Sequence, residues 1–146
     1  MSVRLSFSNP RNDERIRHLQ ELELFSACAP PQLELVAKNS DEVHFPAGAE
    51  LMHEGSTGRE CFVLLSGEAF VTIDDEPVAL LGPGDVVGEM AVLEHEPRVA
   101  TVTAWSPVDA LVFSTQEFDS VLDHVPAVTM RVMRMLAQRL RAVQAA

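Results

Sequence analysis

In the stretch Gly88–Val102, GEMAVLEHEPRVATV, an acid, Glu89, follows a glycine, and a base, Arg98, is flanked by Val99, Ala100 and Val102. A guanidinium among apolar side chains needs a partner, because burying an unpaired charge is costly. Its planar fork offers two parallel N–H bonds of the kind that suits a phosphate. Gly88 permits close backbone approach. The residues after it, Glu89 to Leu93, are able to form one helical turn, whose first N–H groups have no partner inside the helix. Such N–H groups at the positive end of a helix dipole hold anions. Ala91 is small enough to leave that backbone open. Glu89 has the wrong sign for a phosphate but accepts hydrogen bonds from a sugar hydroxyl. The residues therefore point to a phosphate cup with a ribose hook.

Any such anion must be held locally. The net charge of the 146 residues is −11, and between Lys38 and Arg131 the basic side chains are Arg59 and Arg98 alone. Nucleic acid is excluded as a partner, since phosphate backbones are bound by clustered Lys and Arg, and no helix-turn-helix follows. Long-range attraction of an anion is excluded by the same charge. No apolar run reaches the roughly 18 residues of a membrane span, and the start, MSVRLSFSNPRNDER, lacks a signal-peptide core, so no membrane role is expected. Two cysteines, Cys28 and Cys61, make no disulfide framework, and a reducing cytoplasm is the expected compartment.

The elements that position this stretch are short. From Val43, apolar runs (VHF, ELM, FVLL, AFVTI, VALL, VATVTA, ALVF) are separated by Gly48, Gly55, Gly58, Gly67, Asp74-Asp75 and Gly82-Pro83-Gly84. That rhythm predicts a β sandwich or barrel, with the glycines as turn residues. Before it, Asn9-Pro10 reads as a helix start, and Ile16, Leu19 and Leu22 continue a helix to about Leu24. Pro30-Pro31 opens a short helical turn. After it, Ser114 and Glu117 match a capping box, and Pro126 restarts a last helix with an apolar stripe of Val132, Met133, Leu136, Leu140 and Val143. The expected fold is mainly β with flanking helices: an antiparallel β-roll (a jelly-roll-like double-stranded β-helix) with one N-terminal and two C-terminal helices. Its segments are 1–25 (helical), 26–125 (the β-roll, carrying the cassette 88–102) and 126–146 (a C-terminal lid helix).

The cassette resembles the phosphate-binding cassette of the cyclic nucleotide-binding domain family, the family of protein kinase A regulatory subunits and catabolite activator protein. Gly88, Glu89, Ala91, Pro97, Arg98, Ala100, Thr101 and Val102 fall on its pattern, and EGSTGRECFVLLSGEAFV resembles its upstream segment. The resemblance runs from about Leu24 to Leu140. It implies that Arg98 pairs with the cyclic phosphate and Glu89 with the ribose 2′-hydroxyl. Gly88 would allow the tight approach, the backbone around Met90-Ala91 and Val99-Ala100 would donate to phosphate oxygens, and Val71 would line the base pocket. It also implies a lid from the last helix, with Arg131, Arg134 and Leu136 as candidates. Three departures stand out: Val87 replaces the usual phenylalanine, Val99 has no hydroxyl to favour guanine, and the last helix has no aromatic residue. The expected ligand is therefore cAMP, with cGMP as the alternative.

The implied role is regulatory rather than catalytic, with no metal or cofactor. With no output domain in sight, the chain is expected to act through an effector protein or a homodimer formed by the last helix, or to be a piece of something larger. The competing reading is a structural or interaction domain that no longer binds nucleotide, with Arg98 in an internal ion pair with Glu89. A cupin-type metal enzyme fits poorly. His53, Glu60 and Gly67 lie on that motif, but Gly55 stands where its second histidine belongs, short of the three ligands a catalytic metal needs.

Overall fold

The computed structural model describes residues 3–6, 16–17, 19–88 and 97–145, with side chains from 16 to 142 of these. Among them are nine strands: β1 (Val3–Ser6), β2 (Asp41–Phe45), β3 (Glu50–Met52), β4 (Glu60–Ser66), β5 (Ala69–Ile73), β6 (Glu76–Leu81), β7 (Val86–Val87), β8 (Thr101–Ala104) and β9 (Val108–Ser114). They form two antiparallel sheets, β1-β2-β9-β4-β7 and β3-β8-β5-β6. The helices are α1 (Pro30–Lys38), α2 (Thr115–His124) and α3 (Pro126–Ala145). The jelly-roll-like β-roll with helices at both ends is thus the observed fold.

All seven apolar runs became strands, and two strands escaped the pattern. β7 is two residues long, too short for a period of two to register. β1 falls inside the segment read as helical and pairs with β2, Val3 opposite His44. Asn9 and Pro10 lie outside the described residues. Ile16, Arg17, Leu19 and Gln20 are helical, but the chain then tightens into a 3-10 turn at Glu23–Phe25 instead of continuing to Leu24.

The five-stranded sheet is the middle layer, and β4 and β9 are buried on both faces. Cys61, Val63, Leu65, Leu111 and Phe113 pack with Phe25, Leu33, Val36, Phe118, Val128 and Val132 beneath the helices. Phe62, Leu64, Ala110 and Val112 turn the other way, onto Leu51, Ala69, Val102 and Ala104 of the second sheet. Alternate side chains of a strand point to opposite faces, so an unbroken apolar run suits a strand covered on both sides. Each fully buried Leu, Val or Phe contributes on the order of 1.5–3 kcal/mol. Among the described residues no helix covers the outer face of the four-stranded sheet, and β6 is exposed almost throughout. The β5–β6 turn carries Asp74 and Asp75 at φ 51° and 64°, the backbone of a two-residue hairpin loop.

The capping box is as expected: the Glu117 N–H donates to Ser114 Oγ at 3.1 Å, and the Ser114 N–H to Glu117 Oε1 at 2.8 Å. In α3 the buried face is Val128 and Val132, with Met135 and Leu136 packed beside them, whereas Met133 and Leu140 of the expected stripe are exposed. Helical rotation decides this, since 3.6 residues per turn bring 128, 132 and 135 to one side. The side chain of Val143 lies outside those described. Arg139 Nη2 donates to the Val86 carbonyl at 2.7 Å, tying α3 to β7.

Candidate anion-binding site

The run expected from Val99 becomes strand only at Thr101, and Arg98 sits in irregular chain ahead of β8, because its backbone is bonded to a loop instead of a ladder. Its N–H donates to the Ser56 carbonyl at 2.9 Å, and its carbonyl accepts from the Gly55 N–H at 2.8 Å. Beside them, the Glu54 N–H donates to Thr101 Oγ1 at 3.0 Å. The two stretches whose residues carry the family pattern, Glu54–Gly58 and Pro97–Val102, therefore lie side by side.

The Arg98 side chain is 6% exposed. Nη1 donates to the Gly88 carbonyl at 3.0 Å, and Nη2 donates to the Glu60 carbonyl. Glu60 and Gly88 meet because β4 and β7 pair, with Phe62 opposite Val87. Two glycines make the room. A Cβ on Gly58 would coincide with the guanidinium, and one on Gly88 would strike Nη1 and press to 3.1 Å from the Glu60 carbonyl. Gly88 also has φ +85°, a conformation that favours glycine. A guanidinium has five N–H donors in a fixed fork, and the two carbonyls fix its plane at the point where the chain enters Glu89. Gly58 and the Glu60 carbonyl were not among the predicted site residues. Gly58 reads as a turn glycine, yet the space it leaves is filled by Arg98.

Of the other predicted site residues, Glu89, Met90 and Ala91 lie outside the described residues, so the ribose hook and the first turn of the cassette have no geometry here. Ala100 is buried and Val99 is 53% exposed. Val71 lies on β5 opposite Val102 of β8 and packs against the cluster between the sheets. Val87, in place of phenylalanine, is buried in that same cluster. Arg131, Arg134 and Leu136 part company: Arg131 Nη1 reaches Glu23 Oε1 at 3.3 Å, Arg134 is exposed, and Leu136 packs on the helical cluster. Arg131 and Arg134 line a cleft between α3, Glu23-Leu24 and Gly84-Asp85.

Burial pushes the Cys28 thiol above its ordinary value, the opposite of what activates a thiolate. Among the described residues, no three His, Cys, Asp or Glu side chains are grouped to hold a metal ion. No helix among them is long and apolar enough to cross a membrane.

Comparisons with known proteins point to one family. Residues 42–125 match the sequence profile of the cyclic nucleotide-binding domain. The chain is 34% identical over 132 residues to the acetyltransferase Pat of Mycolicibacterium smegmatis, covering 88% of this chain and 39% of that protein. It is 34% identical over 115 residues to a cAMP-dependent protein kinase regulatory subunit of Emericella nidulans, covering 77% of this chain and 28% of that protein. A solved cAMP-binding acyltransferase from Mycobacterium smegmatis superposes with a TM-score of 0.77 at 31% identity, covering 90% of this chain and 42% of that one. The chain thus spans less than half the length of these three relatives. With its profile match over most of the β-roll and a buried arginine seated between two glycines, this chain belongs to the cyclic nucleotide-binding domain family.

Proposed function

We propose that the chain is a cAMP-sensing regulatory domain and not itself an enzyme, with Arg98 pairing with the cyclic phosphate and Glu89 accepting from the ribose 2′-hydroxyl. The observation that carries this reading is the buried Arg98 guanidinium, held in plane by the carbonyls of Glu60 and Gly88 in space kept open by Gly58. Backbone N–H groups around Met90-Ala91 and Val99-Ala100 complete the cup, and Val71 lines the base side. The aliphatic side chain at Val99 favours adenine over guanine. The names of two relatives, a cAMP-dependent kinase regulatory subunit and a cAMP-binding acyltransferase, support the same nucleotide.

Signal passes by population shift. Nucleotide orders the cassette, and α3, which Arg139 links to the strand leading into Gly88, changes its packing. Arg131, Arg134 or Leu136 then caps the base. The readout is an effector protein or a second copy meeting α3, whose Met130, Met133 and Leu140 are exposed. Cys28 and Cys61, both buried and not joined in a disulfide, suit a reducing cytoplasm.

Calorimetric titration of the nucleotide-stripped chain with cAMP and cGMP tests this. Binding at micromolar Kd or tighter, on the order of −8 kcal/mol, with cAMP preferred and Arg98→Ala abolishing it in a folded protein, is the expected result. Glu89→Gln should weaken cAMP while sparing an analogue that lacks the 2′-hydroxyl. No heat and no thermal shift with either nucleotide overturns the reading.

A further inference from the structure

The uncovered sheet face carries an aromatic pair. Phe70 and Trp105 meet edge to face, centroids 5.9 Å apart at 80°. Leu80 stands opposite Phe70 in the β5–β6 register and is 63% exposed; Trp105 is 68% exposed, and Val78, at a bulge in the same pairing, is exposed as well. Directly opposed residues on one sheet face have Cβ atoms about 5 Å apart, so Trp105, Phe70 and Leu80 are contiguous. Contiguous exposed apolar surface on a globular domain marks an interaction site.

The Trp105 loop is held firmly. Its N–H donates to the Glu68 carbonyl at 2.8 Å, and the Glu68 N–H donates to Ser106 Oγ at 2.9 Å. Gly67, at φ +84°, lies so close under Pro107 that a Cβ there would overlap the Pro107 carbonyl. A tryptophan held in place before binding loses little entropy on contact, and aromatic anchors of this kind dominate interface energies. Among the described residues of β5, β6, β8 and their turns, every charged side chain is an acid. Glu68, Asp74, Asp75 and Glu76 are exposed at its edges, and between Arg59 and Arg98 the sequence has nine acids and no Lys or Arg.

We infer that Phe70, Val78, Leu80 and Trp105 form a docking face for a protein segment in which aliphatic side chains are interspersed with lysines or arginines. Charge complementarity selects this occupant, since a basic segment gains from the acidic rim. A second copy in a two-fold contact would set the same acidic rim against itself, and an anionic membrane would be repelled.

The sole tryptophan makes the test direct. The chain is titrated with a synthetic amphipathic Leu/Lys peptide while Trp105 emission is followed, and with a matched Leu/Glu peptide as the counterpart. The expected result is a saturable blue shift with the basic peptide alone. Leu80→Ser should weaken binding at least tenfold with the melting temperature unchanged, because Leu80 is exposed, and Glu68→Gln with Glu76→Gln should reduce the salt sensitivity. Binding without a blue shift, equal affinity for the Leu80→Ser variant or equal binding of the acidic peptide overturns the proposal. So does a blue shift on concentrating the protein alone, accompanied by a dimer in sedimentation, which would make the occupant a second copy.

Discussion

Replacing Gly58 with alanine adds one methyl group at the place the Arg98 guanidinium occupies. Two responses are open to the molecule. The guanidinium can withdraw, giving up its bonds to the Glu60 and Gly88 carbonyls, each worth about 1.5–3 kcal/mol for a charged donor. Alternatively, the Glu54–Gly58 loop can move outward, at the roughly 1–3 kcal/mol of overpacking. The cheaper response sets the stability loss, so Gly58→Ala should destabilise by about 1–3 kcal/mol in urea unfolding. In both cases Arg98 shifts from its position for an anion, in the second because its backbone is bonded to Ser56 and Gly55 of the moving loop. Loss of a buried charge-assisted contact costs about 2–5 kcal/mol, which lowers cAMP affinity by roughly 30-fold to several-thousand-fold at about 1.4 kcal/mol per decade. The double variant Gly58→Ala, Arg98→Ala supplies the internal control. With the guanidinium gone, the added methyl has room, so the stability cost of Gly58→Ala should largely vanish in that background. Gly55→Ala is the second control: a Cβ there meets nothing, and only the φ of +82° resists it, at about 1–2 kcal/mol and with no clash against the guanidinium. Additive stability losses at Gly58 and Arg98, or wild-type cAMP affinity in Gly58→Ala, would refute the reasoning.

Two further outcomes concern the scaffold. Ser114→Ala removes the side chain that accepts from Glu117 N–H and should cost about 0.5–2 kcal/mol in urea unfolding, with cAMP affinity unchanged. Burial raises the Cys28 thiol above its ordinary value of 9.0, so the folded chain keeps a proton that the unfolded chain gives up. That contribution is complete below pH 9.0 and is lost as pH rises above it. Cys28→Ala should therefore flatten the decline in thermal stability between about pH 8 and about pH 10; an unchanged decline would place its source elsewhere.

Local chemistry made some elements legible and hid others. The Ser114/Glu117 box could be read because cap and partner are three residues apart and satisfy each other locally. The apolar run of β4 marks a strand, but which neighbours cover its two faces depends on β9, β7 and the helices, all remote in sequence. β1 was invisible because four residues paired to β2 at long range carry no period strong enough to outvote a helical neighbourhood. In α3 the apolar residues outnumber the positions that one buried face holds, so composition could not choose between Val132 and Met133; contact with Phe25 and Phe118 did.

The same division runs through the site. Residue type and spacing alone singled out Gly88, Glu89 and Arg98 as candidates, because an arginine between small apolar residues needs a partner and an anion is one that its fork fits. The chain order also settled that the β-roll lies between helices, since a period of two and a period of 3.6 are written locally. What the sequence could not contain is where the Arg98 fork is anchored. Its supports are the carbonyls of Glu60 and Gly88, and its space comes from Gly58. A carbonyl is the same on every residue, so its role has no sequence signature until β4 and β7 pair. The exposure of Trp105 and Leu80 was decided in the same way, because the described helices pack on one sheet and not on the other's outer face.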